Sequence, residues 1–82
     1  MTVDEAIKLF ASETEYEIIG AYSGKVYYKS YRNSSKNLDK YANREVTDNP
    51  FFVDMRLRGS ANNHWCVPVI VIWMHDHDLC RK

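Results

Sequence analysis

The chain has 82 residues, 45% of them hydrophobic, which is enough for one modest core burying roughly 60 to 65% of the unfolded surface. Eleven Lys and Arg balance eleven Asp and Glu, which excludes a polyelectrolyte tail, and 13% aromatic content excludes extended disorder. The reading is a single domain over residues 1–82.

Thr2-Val3-Asp4-Glu5 fits a capping box, so a helix is predicted to begin there. Val3, Ala6, Ile7 and Phe10 then recur at three- and four-residue spacing, a stripe that faces a core and carries the helix to near Ser12. Asp4 and Glu5 lie in the first turn, where they favour the helix dipole.

Tyr16–Tyr22 and Lys25–Tyr31 flank Ser23-Gly24 and predict a tight two-strand hairpin. In simple alternation Tyr16, Ile18, Gly20 and Tyr22 share one side of the first strand, and Lys25, Tyr27, Lys29 and Tyr31 share one side of the second. From Arg32 to Asn43 the hydrophobic pattern gives way to a long polar loop. A third strand follows Pro50, where Phe51, Val53, Met55 and Leu57 alternate with Phe52, Asp54, Arg56 and Arg58.

After Gly59-Ser60-Ala61-Asn62-Asn63 comes a fourth strand, Trp65–Met74, largely apolar in both alternating sets. Pro68 removes a ladder donor, which places the start of that strand at an edge or a bulge. The expected fold class is α+β, with one N-terminal helix packed on an antiparallel sheet of about four strands in two layers. One helix covers one face only. The doubly apolar last strand therefore predicts an interface on the uncovered face, formed by a homodimer or another protein partner with Trp65 and Trp73 as anchors. Closure of that face by the 32–43 loop is the alternative.

The zero net charge conceals a division. Residues 1–21 carry Asp4, Glu5, Glu13, Glu15 and Glu17 against Lys8, a balance of minus four. Residues 22–44 carry Lys25, Lys29, Arg32, Lys36, Lys40 and Arg44 against Asp39, a balance of plus five. Within this basic block, Lys25, Tyr27, Tyr28, Lys29, Tyr31 and Arg32 form the candidate partner-binding set. Interleaved basic and aromatic residues suit a nucleic-acid backbone with bases stacked on rings, and they suit an acidic protein surface equally. A solvated hairpin with lysines protecting an edge is the third reading.

His64-Trp65-Cys66 and His75-Asp76-His77 each place two possible metal ligands two residues apart, which on a strand points them to the same side. Cys66 and His75 are separated by roughly 30 Å along one strand, so a zinc site would need His75, His77 and Cys80 with a fourth ligand from elsewhere. No paired Cys-x-x-Cys motif is present, and neither a metal nor a cofactor is expected. Two cysteines are too few for a disulfide scaffold, and both are expected as reduced thiols. Catalytic chemistry is not expected, because no nucleophile, base and orienting group are ordered together and the three glycines do not form a phosphate loop. The start of the chain has no signal-peptide pattern and no apolar run approaches the ~20 residues of a bilayer span, so a cytoplasmic protein without membrane contact is expected.

The early helix, the hairpin around Tyr22-Ser23-Gly24-Lys25, Arg44-Glu45-Val46-Thr47 and Pro68-Val69-Ile70-Val71-Ile72 together cover about half the chain. In that order they resemble small accessory proteins carried by bacteriophages and mobile elements of Firmicutes. Several such proteins are anti-CRISPR or other anti-defence factors that occlude a host complex or hold it inactive. The resemblance implies a non-enzymatic, phage-type inhibitor in the host bacterial cytoplasm, binding a host protein or nucleoprotein such as a CRISPR-Cas effector by protein contact. The His75-Asp76-His77 tail departs from that pattern. The alternative function is a small nucleic-acid-binding module using the basic, tyrosine-rich hairpin.

Overall fold

A computed structural model of the chain describes residues 1–10, 13–31 and 38–80. Helix α1 spans Val3–Ile7, and four strands follow: β1 (Tyr16–Gly20), β2 (Val26–Lys29), β3 (Val46–Gly59) and β4 (His64–Met74), then a 3-10 turn at His77–Cys80.

The helix starts where the capping box places it. The Glu5 amide donates to Thr2 Oγ1 at 3.3 Å, and the Thr2 amide donates to Glu5 Oε1 at 2.8 Å. The next two amides, which no helical turn can satisfy, donate to the carbonyls of Arg44 and Ala42, both at 2.9 Å. The helix is shorter than predicted. It closes at a Lys8 C-cap, and the Leu9 and Phe10 amides bond three residues back, to Ala6 and Ile7, so the chain tightens and leaves Leu9 exposed. Ser12, the predicted end, lies outside the described residues.

The sheet order is β2-β1-β4-β3. Four strands are present as predicted, although β3 begins at Val46 and carries Pro50 within it, at a register shift between Val46 and Phe51, where the sequence placed its start after Pro50. β1–β2 and β3–β4 are antiparallel, but β1 runs parallel to β4 with Ile18 opposite Ile72. The sheet is therefore mixed where an antiparallel one was expected. Strand periodicity reports existence and facing, and says nothing about which non-consecutive strand becomes the neighbour. Placing the doubly apolar β4 in the interior between β1 and β3 gives it a partner on both edges over Ile70–Met74. Beyond Ile70 towards His64, β1 no longer accompanies it, and Pro68 sits in that stretch, as its missing donor requires.

Val3 and Ala6 of α1 pack with Ile18, Tyr28, Val46, Ile72 and Met74 in one buried cluster, and Ile7, Phe10, Leu38 and Tyr41 flank it. From the predicted 32–43 loop, residues 32–37 lie outside the described residues, while Leu38 and Tyr41 supply this flank. The opposite face is closed in a way not anticipated. Arg56 and Arg58 on β3 reach across β4 to Glu17 and Glu15, at 2.8 and 3.0 Å. Val69 and Val71 beneath them are buried, so the guanidinium stems act as the apolar cover while their heads pair with carboxylates. Phe52 and Trp65, on the same face, stay exposed.

Asp76 ties the end of β4 to the β1–β2 connection. It is fully buried and accepts from the Tyr22 amide at 2.9 Å, the Ser23 hydroxyl at 2.5 Å and the Tyr27 hydroxyl at 2.8 Å. Burial alone would raise its carboxyl, and these hydrogen bonds outweigh burial to hold it down at about 2. The connection is longer than a two-residue turn: Gly24, at φ 75°, donates to the Gly20 carbonyl, and Gly20 donates to Lys25. A side chain at Gly20 would overlap the Asp76 carboxylate and the Ser23 hydroxyl.

Candidate interaction surface

The β3–β4 hairpin is longer than its support. In regular register from Phe51 opposite Ile72 to Gly59 opposite His64, residues directly across from each other share a face. Phe51, Val53, Met55 and Leu57 thus lie on the α1 side, together with Pro68 and Cys66. Phe10 covers Phe51 edge-on, with ring centroids 5.7 Å apart, and the cover ends there. Val53, Met55 and Leu57 are 57–64% exposed, an apolar ladder along an arm of a molecule 44 Å in its longest dimension.

The residues nominated from sequence for partner contact are mostly turned elsewhere. Tyr28 is 5% exposed in the core, its ring 5.7 Å from Tyr16, and burial followed by the neighbouring Tyr28 raises the Tyr16 hydroxyl to about 12. Tyr27 packs against Tyr41 at 5.2 Å and donates to Asp76, and burial, followed by that bond, raises its hydroxyl to about 12. The Tyr31 hydroxyl donates to Glu17 at 3.1 Å, and its ring lies 4.2 Å from the Arg58 guanidinium.

Lys29 is half-buried opposite Glu17, whereas Lys25 is exposed with its ammonium 5.3 Å from the Tyr27 ring. Arg32 lies outside the described residues. The expected alternation fails because of a bulge. Ile18 pairs with Tyr28 but Ile19 pairs with Val26, so Tyr27 is the extra residue and both adjacent tyrosines reach the core.

Trp65 is exposed opposite Arg58, and Trp73 is half-buried opposite neighbouring Ile19. Eight residues and about 26 Å of strand separate them, so they do not form one anchor. Cys66 and Cys80 are free thiols. Among the described residues no three His, Cys, Asp or Glu side chains gather as a metal site; the His77 ring stands edge-on to Tyr22 at 4.5 Å, and Cys80 Sγ lies 3.6 Å from Asp76. No described helix is long and apolar enough to cross a membrane.

The groups that sequence reasoning missed are the Asp76 anchor and the Arg56–Glu17 and Arg58–Glu15 pairs. For the pairs a signal existed: two acids and two arginines, each spaced by two residues, the arginines on β3 and the acids at and just before the start of β1. No family model, curated protein or solved structure matches the chain.

Proposed function

We propose that the chain is a non-enzymatic, phage-type inhibitor that acts in the host bacterial cytoplasm. It binds a host defence nucleoprotein, such as a CRISPR-Cas effector, by protein–protein contact. The observation that carries the contact is the Val53-Met55-Leu57 ladder, three large apolar side chains in a row on an arm that the described residues leave uncovered. In this reading the domain has two layers, with α1 over one side of the sheet and the ion-paired arginines over the other. The base of β3–β4 completes the core, while the distal half presents the contact surface.

The division between an acidic first quarter and a basic middle assists orientation toward a charged complex. A nucleic-acid platform has less to build on, since Tyr27, Tyr28 and Tyr31 are engaged within the fold and a stacking surface needs open rings.

The test is inhibition of DNA cleavage by purified CRISPR-Cas effector complexes of several types, with the protein titrated against each. The expected result is loss of cleavage that saturates at a fixed stoichiometry, co-elution with one effector, and relief by Leu57→Asp. Absence of co-elution and inhibition across the panel would overturn the proposal. So would salt-sensitive binding of naked DNA that Leu57→Asp leaves unchanged and Lys25→Glu abolishes.

A further inference from the structure

Among the described residues the sheet has three open edges, and two of them are blunted. On β2, a four-residue strand, the bulge beside Ile18 interrupts pairing, Lys25 precedes the strand and Lys29 ends it. The distal part of β4, beyond the reach of β1, contains Pro68, which has no amide to donate. The outer edge of β3 has neither device between Phe51 and Gly59. Its register with β4 is unbroken there, Pro50 lies before it, and no described strand pairs with its other side.

Charged side chains often protect such an edge, yet Arg56 and Arg58 are drawn back across β4 to Glu17 and Glu15. Among the described residues, the side-chain hydrogen bond found to this stretch of backbone runs from Nη1 of half-buried Arg58 to the Leu57 carbonyl at 3.2 Å. A nine-residue unpaired edge bearing an apolar ladder is a template for another strand.

We propose that the occupant is a second copy of this chain, paired β3 to β3 in antiparallel fashion about a two-fold axis through Met55. The charge pattern selects that register. With Met55 opposite its own copy, Val53 faces Leu57 of the partner subunit, and Asp54 with the Arg56 it already holds at 2.7 Å comes opposite the same pair of the partner subunit, so charges across the seam alternate in sign. Sliding by one two-residue step in either direction sets Asp54 against its own copy, or Arg56 against its own copy, and like charges directly across a sheet repel.

The central register forms about eight backbone hydrogen bonds, close to the roughly ten of a standard protein interface. It also merges the two ladders into one apolar strip on the α1 side of an eight-stranded sheet. Self-pairing goes beyond the inhibitor reading and does not depend on any target.

The experiment is sedimentation equilibrium of the purified chain, followed by disulfide mapping in a Cys66→Ser, Cys80→Ser background. Wild type is expected to dimerise. Met55→Lys, which sets two ammonium groups against each other at an exposed position, is expected to raise the dimer Kd at least about tenfold while its circular dichroism and melting stay those of the folded monomer. Under mild oxidation Met55→Cys is expected to cross-link with itself, and Val53→Cys to cross-link with Leu57→Cys more readily than either does alone.

Wild type that stays monomeric through the concentration range would overturn the proposal, and so would a dimer indifferent to Met55→Lys. Cross-linking of Val53→Cys with itself in preference to Leu57→Cys would overturn the register. Failure of the inhibition assay with an intact dimer would count against the target alone.

Discussion

Asp76→Ala is expected to destabilise the domain by about 3 kcal/mol, a large fraction of the 5 to 15 kcal/mol typical of such a fold. The carboxylate is fully buried and receives the Tyr22 amide, the Ser23 hydroxyl and the Tyr27 hydroxyl; removing it takes the shared acceptor from three part-buried donors at once and unties the β1–β2 connection from the end of β4. Asp76→Asn keeps the volume but turns one acceptor into a donor facing other donors, so it is expected to recover little. Urea denaturation followed by tryptophan fluorescence measures both.

The same carboxyl gives a pH signature. Its folded value of about 2 lies below the ordinary 3.8, so the ionised form is favoured by folding. The associated stabilisation, on the order of 2 kcal/mol, is complete above roughly pH 4 and is lost as the pH falls through about 2. Asp76→Asn should flatten this part of the acid-denaturation profile. A variant as stable as wild type, with an unchanged acid limb, would show that Asp76 does not anchor the β1–β2 connection.

Glu17→Ala is expected to cost about 3 kcal/mol, because it leaves the Arg56 guanidinium over β4 with only Asp54, at 2.7 Å, and removes the acceptor of the Tyr31 hydroxyl. Glu17 is 1% exposed, so water does not replace the lost partner. The double variant Glu17→Leu, Arg56→Met keeps the apolar cover over Val69 and Val71 and removes both charges. Its stability is expected within about 1 kcal/mol of wild type, since a buried ion pair and a well-packed apolar pair are often equivalent. In a double-mutant cycle the two sites should therefore be strongly non-additive. Additive losses would mean that the pair does not close this face.

How far the sequence reveals this structure differs from element to element. The Thr2–Glu5 box and the existence of each strand are local properties, expressed in hydrogen-bonding capacity and alternation within a few residues, and both are legible, whereas the start of β3 at Val46, ahead of Pro50, is not. The parallel β1–β4 pairing joins segments more than fifty residues apart, and no local periodicity encodes it. The Tyr27-Tyr28 pair illustrates a second limit. Strict alternation sends one ring outward, and a single-residue bulge sends both inward, so a surface assigned from alternation dissolves. The doubly apolar β4 reads as a strand covered on both sides, yet Trp65, Cys66 and Pro68 are exposed, and over buried Val69 and Val71 the cover is made of arginine stems that a hydrophobicity pattern does not count.

The unprotected outer edge of β3 is the feature on which self-association and the exposed arm both depend. Amide hydrogen exchange across Phe51–Gly59, followed by nuclear magnetic resonance as protein concentration is raised, tests it most directly. Pairing through β3 predicts that the alternate amides facing away from β4 become protected with concentration, while those bonded to β4 hold constant. Outward amides that exchange at the same fast rate at every concentration would contradict it.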